Sequence, residues 1–189
     1  MSYDTIASLQ RMNNQLFIKN KPFNKQQFEP ISNHLNRPEG GLWTADYSVA
    51  DGSKWLLSGH VDFEYSNPLG FVFNIKPEAN ILTLNTVKDA LEILPSYLIS
   101  TFVQAPTNLH GKEIAIGIYK IDFENMSQTY DAISVSDEVA NGDIQYNGKF
   151  SPFADWGIAS TLWFNTNHLE QIDELSTEKL KELLMNAQV

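Results

Sequence analysis

Nine residues, Arg37-Pro-Glu-Gly-Gly-Leu-Trp-Thr-Ala45, constrain this chain more than any other stretch. Proline fixes its own φ at about −65° and offers no amide donor, and adjacent glycines open positive φ to the backbone. The chain must therefore turn sharply here, and Leu42-Trp-Thr44 reads as a strand leaving that turn. Backbone bared by glycine, beside a flat indole and a hydroxyl, suits a planar, phosphate-bearing ligand. The same residues equally suit a tight turn followed by a core tryptophan. From the residues alone both readings stand.

A chain of 189 residues is expected to form one domain, residues 1–189, and 42% hydrophobic content supports a folded core. The formal charge of −10 argues against nucleic acid and anionic membrane as partners, because both call for clustered Lys and Arg. Two partner classes fit such a charge: a small nucleotide-type molecule in a locally positive pocket, or a basic protein. There is no cysteine, which excludes thiolate catalysis, disulfides and Cys-type metal sites. Met1-Ser-Tyr-Asp-Thr5 lacks a basic-then-apolar leader and no apolar run reaches membrane length, so a cytoplasmic location is expected.

Alternation predicts strands at Asn14–Lys19, Gly41–Ala45, Leu69–Lys76, Asn80–Asn85, Asp131–Ser136 and Ser160–Asn165. Thr86 as N-cap with Asp89 three residues on, and Pro95 beyond, predicts a helix over 86–94. Spacing of Phe123, Met126 and Tyr130 predicts another over 121–130, and Leu180, Leu183 and Leu184 a last one over 176–184. Asn141-Gly142 and Asn147-Gly148 suggest turns flanking a hairpin strand at Ile144–Tyr146. Lys54–Ser58 fits helix or strand, and residues 96–120 carry little pattern beyond an apolar piece at Tyr97–Val103. The fold class is α+β, with a mostly antiparallel sheet and flanking helices.

The four histidines, His34, His60, His110 and His168, fall at no metal-ligand spacing, so no metal is expected. No GxSxG elbow, P-loop or GxGxxG is present. As a strand, His60–Tyr65 would set His60, Asp62 and Glu64 in one row, fit either for acid–base work or for a solvated face over Val61, Phe63 and Tyr65.

Tyr130-Asp-Ala-Ile-Ser-Val-Ser136, followed by Ser160-Thr-Leu-Trp-Phe-Asn-Thr-Asn-His-Leu-Glu-Gln-Ile172, resembles the C-terminal half of ADP-ribosyltransferase-like domains of bacteria and phages. Arg37–Ala45 is similar to the KPxGGLWTS element of a bacterial and phage family whose tail reads WDxES-x-WF. Trp156-Gly-Ile-Ala-Ser-Thr-Leu-Trp-Phe164 is similar to that tail. The pieces cover about a third of the chain, in the family's order.

The resemblance implies a split, mostly antiparallel sheet holding NAD in a cleft, with cleavage of the nicotinamide–ribose bond where the domain is active. Carried over residue by residue, it implies that Trp43 and Thr44 line the cleft and that Gly40 and Gly41 let cofactor and backbone approach. Lys19 would stand at the early-strand basic position and Ser160 on the late strand. Two departures bear on chemistry: Gly157 and Ala159 replace the family's aspartate and glutamate, and Lys19 stands where an arginine fork would clamp the cofactor. Asp155 is two residues away from the expected aspartate, about 7 Å along a strand. The expectation is thus an NAD-binding, ADP-ribosyltransferase-like domain, weakly active or degenerate. The alternative is a non-enzymatic acidic phage or mobile-element protein that binds a host protein.

Overall fold

The computed structural model describes residues 14–34, 37–59, 61–106, 113–142, 144–146, 153 and 156–186. Nine strands occur among them: β1 Asn14–Lys19, β2 Leu42–Tyr47, β3 Leu69–Ile75, β4 Ile81–Leu84, β5 Leu98–Pro106, β6 Glu113–Ile121, β7 Ala132–Val135, β8 Ser160–Trp163 and β9 Leu169–Leu175. Five α-helices accompany them: α1 Lys54–Leu57, α2 Val87–Ile93, α3 Phe123–Met126, α4 Asp137–Asn141 and α5 Thr177–Asn186. Seven strands form one sheet in the order β4-β7-β8-β2-β1-β3-β9, in which only the β4–β7 pair is parallel. Strands β5 and β6 form a separate antiparallel ribbon. The fold is α+β and mostly antiparallel.

The sheet divides along β2. Its second half, Ala45–Tyr47, pairs with Asn14–Leu16 of β1, while its first half, Leu42–Thr44, pairs with Thr161–Trp163 of β8. Beyond Leu16, β1 leaves β2 and follows β3 alone through Lys19. A wedge therefore opens between the end of β1 and the start of β2.

Period-2 alternation sorts the core. Leu16 and its cross-strand partner Val72 face α5, joining Leu56, Leu175, Leu180 and Leu183. The next pair, Phe17 and Phe71, turns to the opposite face, where Phe73, Trp163 and Leu169 gather. Burial on both faces makes Phe71-Val-Phe73 a continuous apolar run. A third cluster, containing Ile133, Val135, Leu162, Phe153 and Trp156, lies under α2 and α4. Helix α2 starts as its cap predicts. Thr86 Oγ1 accepts from the Asp89 amide at 3.1 Å and Asp89 Oδ2 from the Thr86 amide at 2.9 Å. Those bonds hold the Asp89 carboxyl below the usual carboxylate range.

Local expectations are corrected at three places. The helix over 121–130 shrinks to one turn, Phe123–Met126, because Ile121 ends β6 and Tyr130, though it packs against the same core cluster, lies beyond the helix. Ile144 and Gln145 are not in a strand, since Gly142 keeps φ −70° as the cap of α4 and makes no hairpin turn. Asn147-Gly148 lies outside the described residues. Residues 61–65 are not a strand either: Asp62 Oδ1 accepts the Glu64 and Tyr65 amides, both at 2.9 Å, folding the segment into a turn. Tyr65 points outward and His60 is outside the described residues.

Tyr146 gives the core a titrating group. Its hydroxyl donates to the Ala90 carbonyl at 2.8 Å, and burial pushes its pKa up to about 12. A folded-state value above the unfolded value of about 10 means stability intact below pH 10 and falling as pH rises through 12. Tyr146→Phe is expected to cost about 1 kcal/mol at neutral pH, because Ala90 O also accepts from the Leu94 amide. Above pH 10 the wild type should lose stability faster than this variant, as read from melting midpoints across the range.

Candidate functional site

The wedge beside β2 is a cleft of about 600 Å³. One wall is Ile18, Lys19 and Asn20 at the end of β1, and the opposite wall is Trp43 of β2 with Ser160 of β8. Trp55 of α1, Trp156, Ile158, Arg37 and the turn at Asp62 and Ser66 complete it. Three of the four tryptophans of the chain thus meet in one cavity, while the fourth, Trp163, is fully buried.

Each side chain is placed by its element. Trp43 follows the Gly40-Gly41 turn and sits edge-on to Trp156, with centroids 4.7 Å apart at 69°. Trp156 is anchored in turn against Phe153 at 5.1 Å. Trp55 lies on the one-turn helix α1, whose next residue, Leu56, is buried in the core under α5. Its indole Nε1 donates to Ser160 Oγ at 3.1 Å, and Ser160 Oγ donates to the Ile158 carbonyl at 3.2 Å. Lys19 lies three residues beyond the last β1–β2 pair, about 10 Å along the strand. The lining therefore combines three indoles and a serine hydroxyl with two cations. Lys19 and Arg37 face one carboxylate, Asp62, among the described lining residues, in a chain whose net charge is −10.

No protein-family model, curated protein or solved structure matches this chain. What the cleft can bind is set by its own walls. Flat indoles offer stacking surfaces, and Lys19 and Arg37 offer charge-assisted bonds to phosphate.

Of the six residues singled out from sequence, Lys19, Trp43 and Ser160 line the cleft. Gly40 and Gly41 lie instead at a separate hollow of about 150 Å³, shared with Lys19, Phe23 and Phe28. Their positive φ values, +72° and +70°, serve the chain's own packing. A Cβ on Gly40 would fall 2.2 Å from Pro30 O, and one on Gly41 would fall 2.8 Å from Leu162 Cδ1. Thr44 points away from the cleft and is fully buried: its Oγ1 donates to Gln15 Oε1 at 2.6 Å and accepts from Trp163 Nε1 at 3.0 Å.

Sequence reasoning passed over Trp55, Trp156 and Arg37 as ligand contacts. A one-turn helix carries no usable periodicity, so Trp55 had no local sign. Arg37 and Trp156 do stand inside the two motifs, and the available signal is their tie to a glycine turn: Arg37 precedes Gly40 and Trp156 precedes Gly157.

The positions expected to hold catalytic carboxylates do not supply them. Gly157, at φ +71°, has open space where a side chain would start. Ala159 uses its amide to donate to Asp137 Oδ1 at 2.8 Å, and Asp137 is also paired with Lys54. Asp62 is the cleft's carboxylate, but its Oδ1 is engaged by two turn amides. Asp155 lies outside the described residues. Among those residues no group of three or more His, Asp or Glu side chains could hold a metal ion, and no helix is long and apolar enough to cross a membrane.

Proposed function

We propose that this chain is an ADP-ribosyltransferase-like domain whose cleft binds NAD or a related nucleotide, with weak or no transfer activity. The observation that carries the proposal is the pairing, in one cavity of an acidic chain, of two cations with three indoles where β1 parts from β2. Trp43 would stack a base, and Lys19 and Arg37 would hold the phosphates. Bound NAD would supply the activated nicotinamide–ribose bond. The chain's own contribution is to orient it and to exclude water, because Gly157 and Ala159 offer no group to activate an acceptor.

The test is the melting midpoint with millimolar NAD or ADP-ribose. Ligand at about a hundredfold over Kd stabilises the fold by about 2.7 kcal/mol, which is about 5–10 °C for a chain of this size. Trp43→Ala should abolish the shift and Lys19→Gln should reduce it, each measured from its own ligand-free midpoint. No shift with either ligand would overturn the nucleotide reading and favour the acidic interaction protein. For that alternative the relevant surface is the edge strand β9, where Glu170, Asp173 and Glu174 surround a half-exposed Ile172.

A further inference from the structure

We infer that Ser160 selects the ligand by hydrogen-bond polarity, admitting a base that presents an amide or amino N–H and refusing one that presents a carbonyl or carboxylate there. The inference rests on the nucleotide reading above and deepens it by naming the class of base taken beside the tryptophans.

A serine hydroxyl has one proton to give and two lone pairs to offer. In Ser160 the hydroxyl donates to the Ile158 carbonyl at 3.2 Å, and one lone pair takes the Trp55 Nε1–H at 3.1 Å. What remains for the cleft is a single acceptor. Trp55 cannot reverse the polarity, because an indole nitrogen only donates. Its helix is fixed from both sides: Leu56 is buried beneath α5, and Ser58 Oγ donates to the Trp55 carbonyl at 2.8 Å.

A ligand N–H meeting this acceptor completes the set around Ser160. A ligand carbonyl in the same place sets two acceptors against each other in a hydroxyl site that is 6% exposed. Mismatched polar groups in such a place lose their water without gaining a partner. Sites of this kind discriminate more sharply between hydrogen-bonding groups than an apolar wall discriminates by size.

The experiment measures Kd for two ligand pairs by quenching of the cleft tryptophans. NAD is compared with nicotinic acid adenine dinucleotide, where an amide becomes a carboxylate. AMP is compared with IMP, where an amino group becomes a carbonyl without change of charge. The expected result is a preference of about tenfold or more for the N–H-bearing member of at least one pair. In Ser160→Ala that ratio should fall towards one, mainly through weaker binding of the preferred ligand. Lys19→Gln should weaken all four ligands by similar factors. Binding of both members of each pair within about twofold, or a preference that survives Ser160→Ala, overturns the inference and leaves the nucleotide reading standing. Binding of none of the four overturns both.

Discussion

Gly40→Ala is expected to lower folding stability by about 3–5 kcal/mol, whether or not a ligand is present. Left-handed backbone at φ +72° costs an alanine about 1–2 kcal/mol. The larger part is steric. The new methyl would fall 2.2 Å from Pro30 O and 2.8 Å from Glu29 O, both backbone atoms. Neither can yield cheaply, because Glu29 O accepts the Gly41 amide at 2.9 Å, and Ser32 and Glu39 exchange two backbone bonds just beyond. Gly52→Ala is the matched control. Its φ is +68°, but nothing lies within 4 Å of its Cβ, so it should pay the backbone term alone. Urea midpoints of the two variants separate the contributions. A Gly40→Ala protein as stable as Gly52→Ala would mean that the 29–31 segment moves aside freely, and the turn would lose its structural rationale.

The glycine pair Gly40-Gly41 separates the two duties of the Arg37–Ala45 segment. Arg37–Ala45 holds a turn and a ligand wall together, and its residues divide between them. Gly40 and Gly41 are required where backbone meets backbone, while Trp43 and Arg37 face the cleft. The sequence could not assign these duties, because each depends on what lies opposite. Elements stabilised by their own residues were legible: β1 and β3 from their alternation, and α2 from the Thr86 and Asp89 cap. Elements defined by partners were not. Strand β6 carries apolar residues on both sides of Gly117 and becomes a strand opposite β5. In β9 only Leu169 and Leu175 are buried, so its sequence shows no alternation. His60–Tyr65 shows the converse, where a clean alternation is overridden by one carboxylate capping two turn amides. The cleft is still further from the sequence, since it arises where β1 abandons β2, a choice made by the register of β3 and β8.

The junction where that parting begins gives the second large expected effect: Thr44→Val should cost about 3–5 kcal/mol. Valine keeps the volume and β-branched shape of threonine, so packing is nearly conserved and the loss isolates the hydroxyl. That hydroxyl joins three strands. It takes the Trp163 indole N–H from β8 and gives its proton to Gln15 of β1, whose amide continues to Asp46 Oδ1 at 2.6 Å. Gln15, Thr44 and Trp163 are all fully buried. The substitution therefore removes two buried hydrogen bonds at once, the one Trp163 Nε1 donates and the one Gln15 Oε1 accepts, and a buried group that loses its bond costs about 1–3 kcal/mol. Thr44→Ser, which keeps the hydroxyl and loses a methyl, should cost about 1 kcal/mol. The double variant with Gln15→Leu should be less destabilised than the sum of its parts, since both single changes break the same Thr44–Gln15 bond. Strict additivity in urea unfolding would deny the coupling across the junction. A Thr44→Val protein within 1 kcal/mol of wild type would remove the chain from the forces that hold the two half-sheets together. With that chain intact, β1, β2 and β8, which carry Lys19, Trp43 and Ser160 to the walls of the cleft, are joined through one buried hydroxyl in the core beneath it.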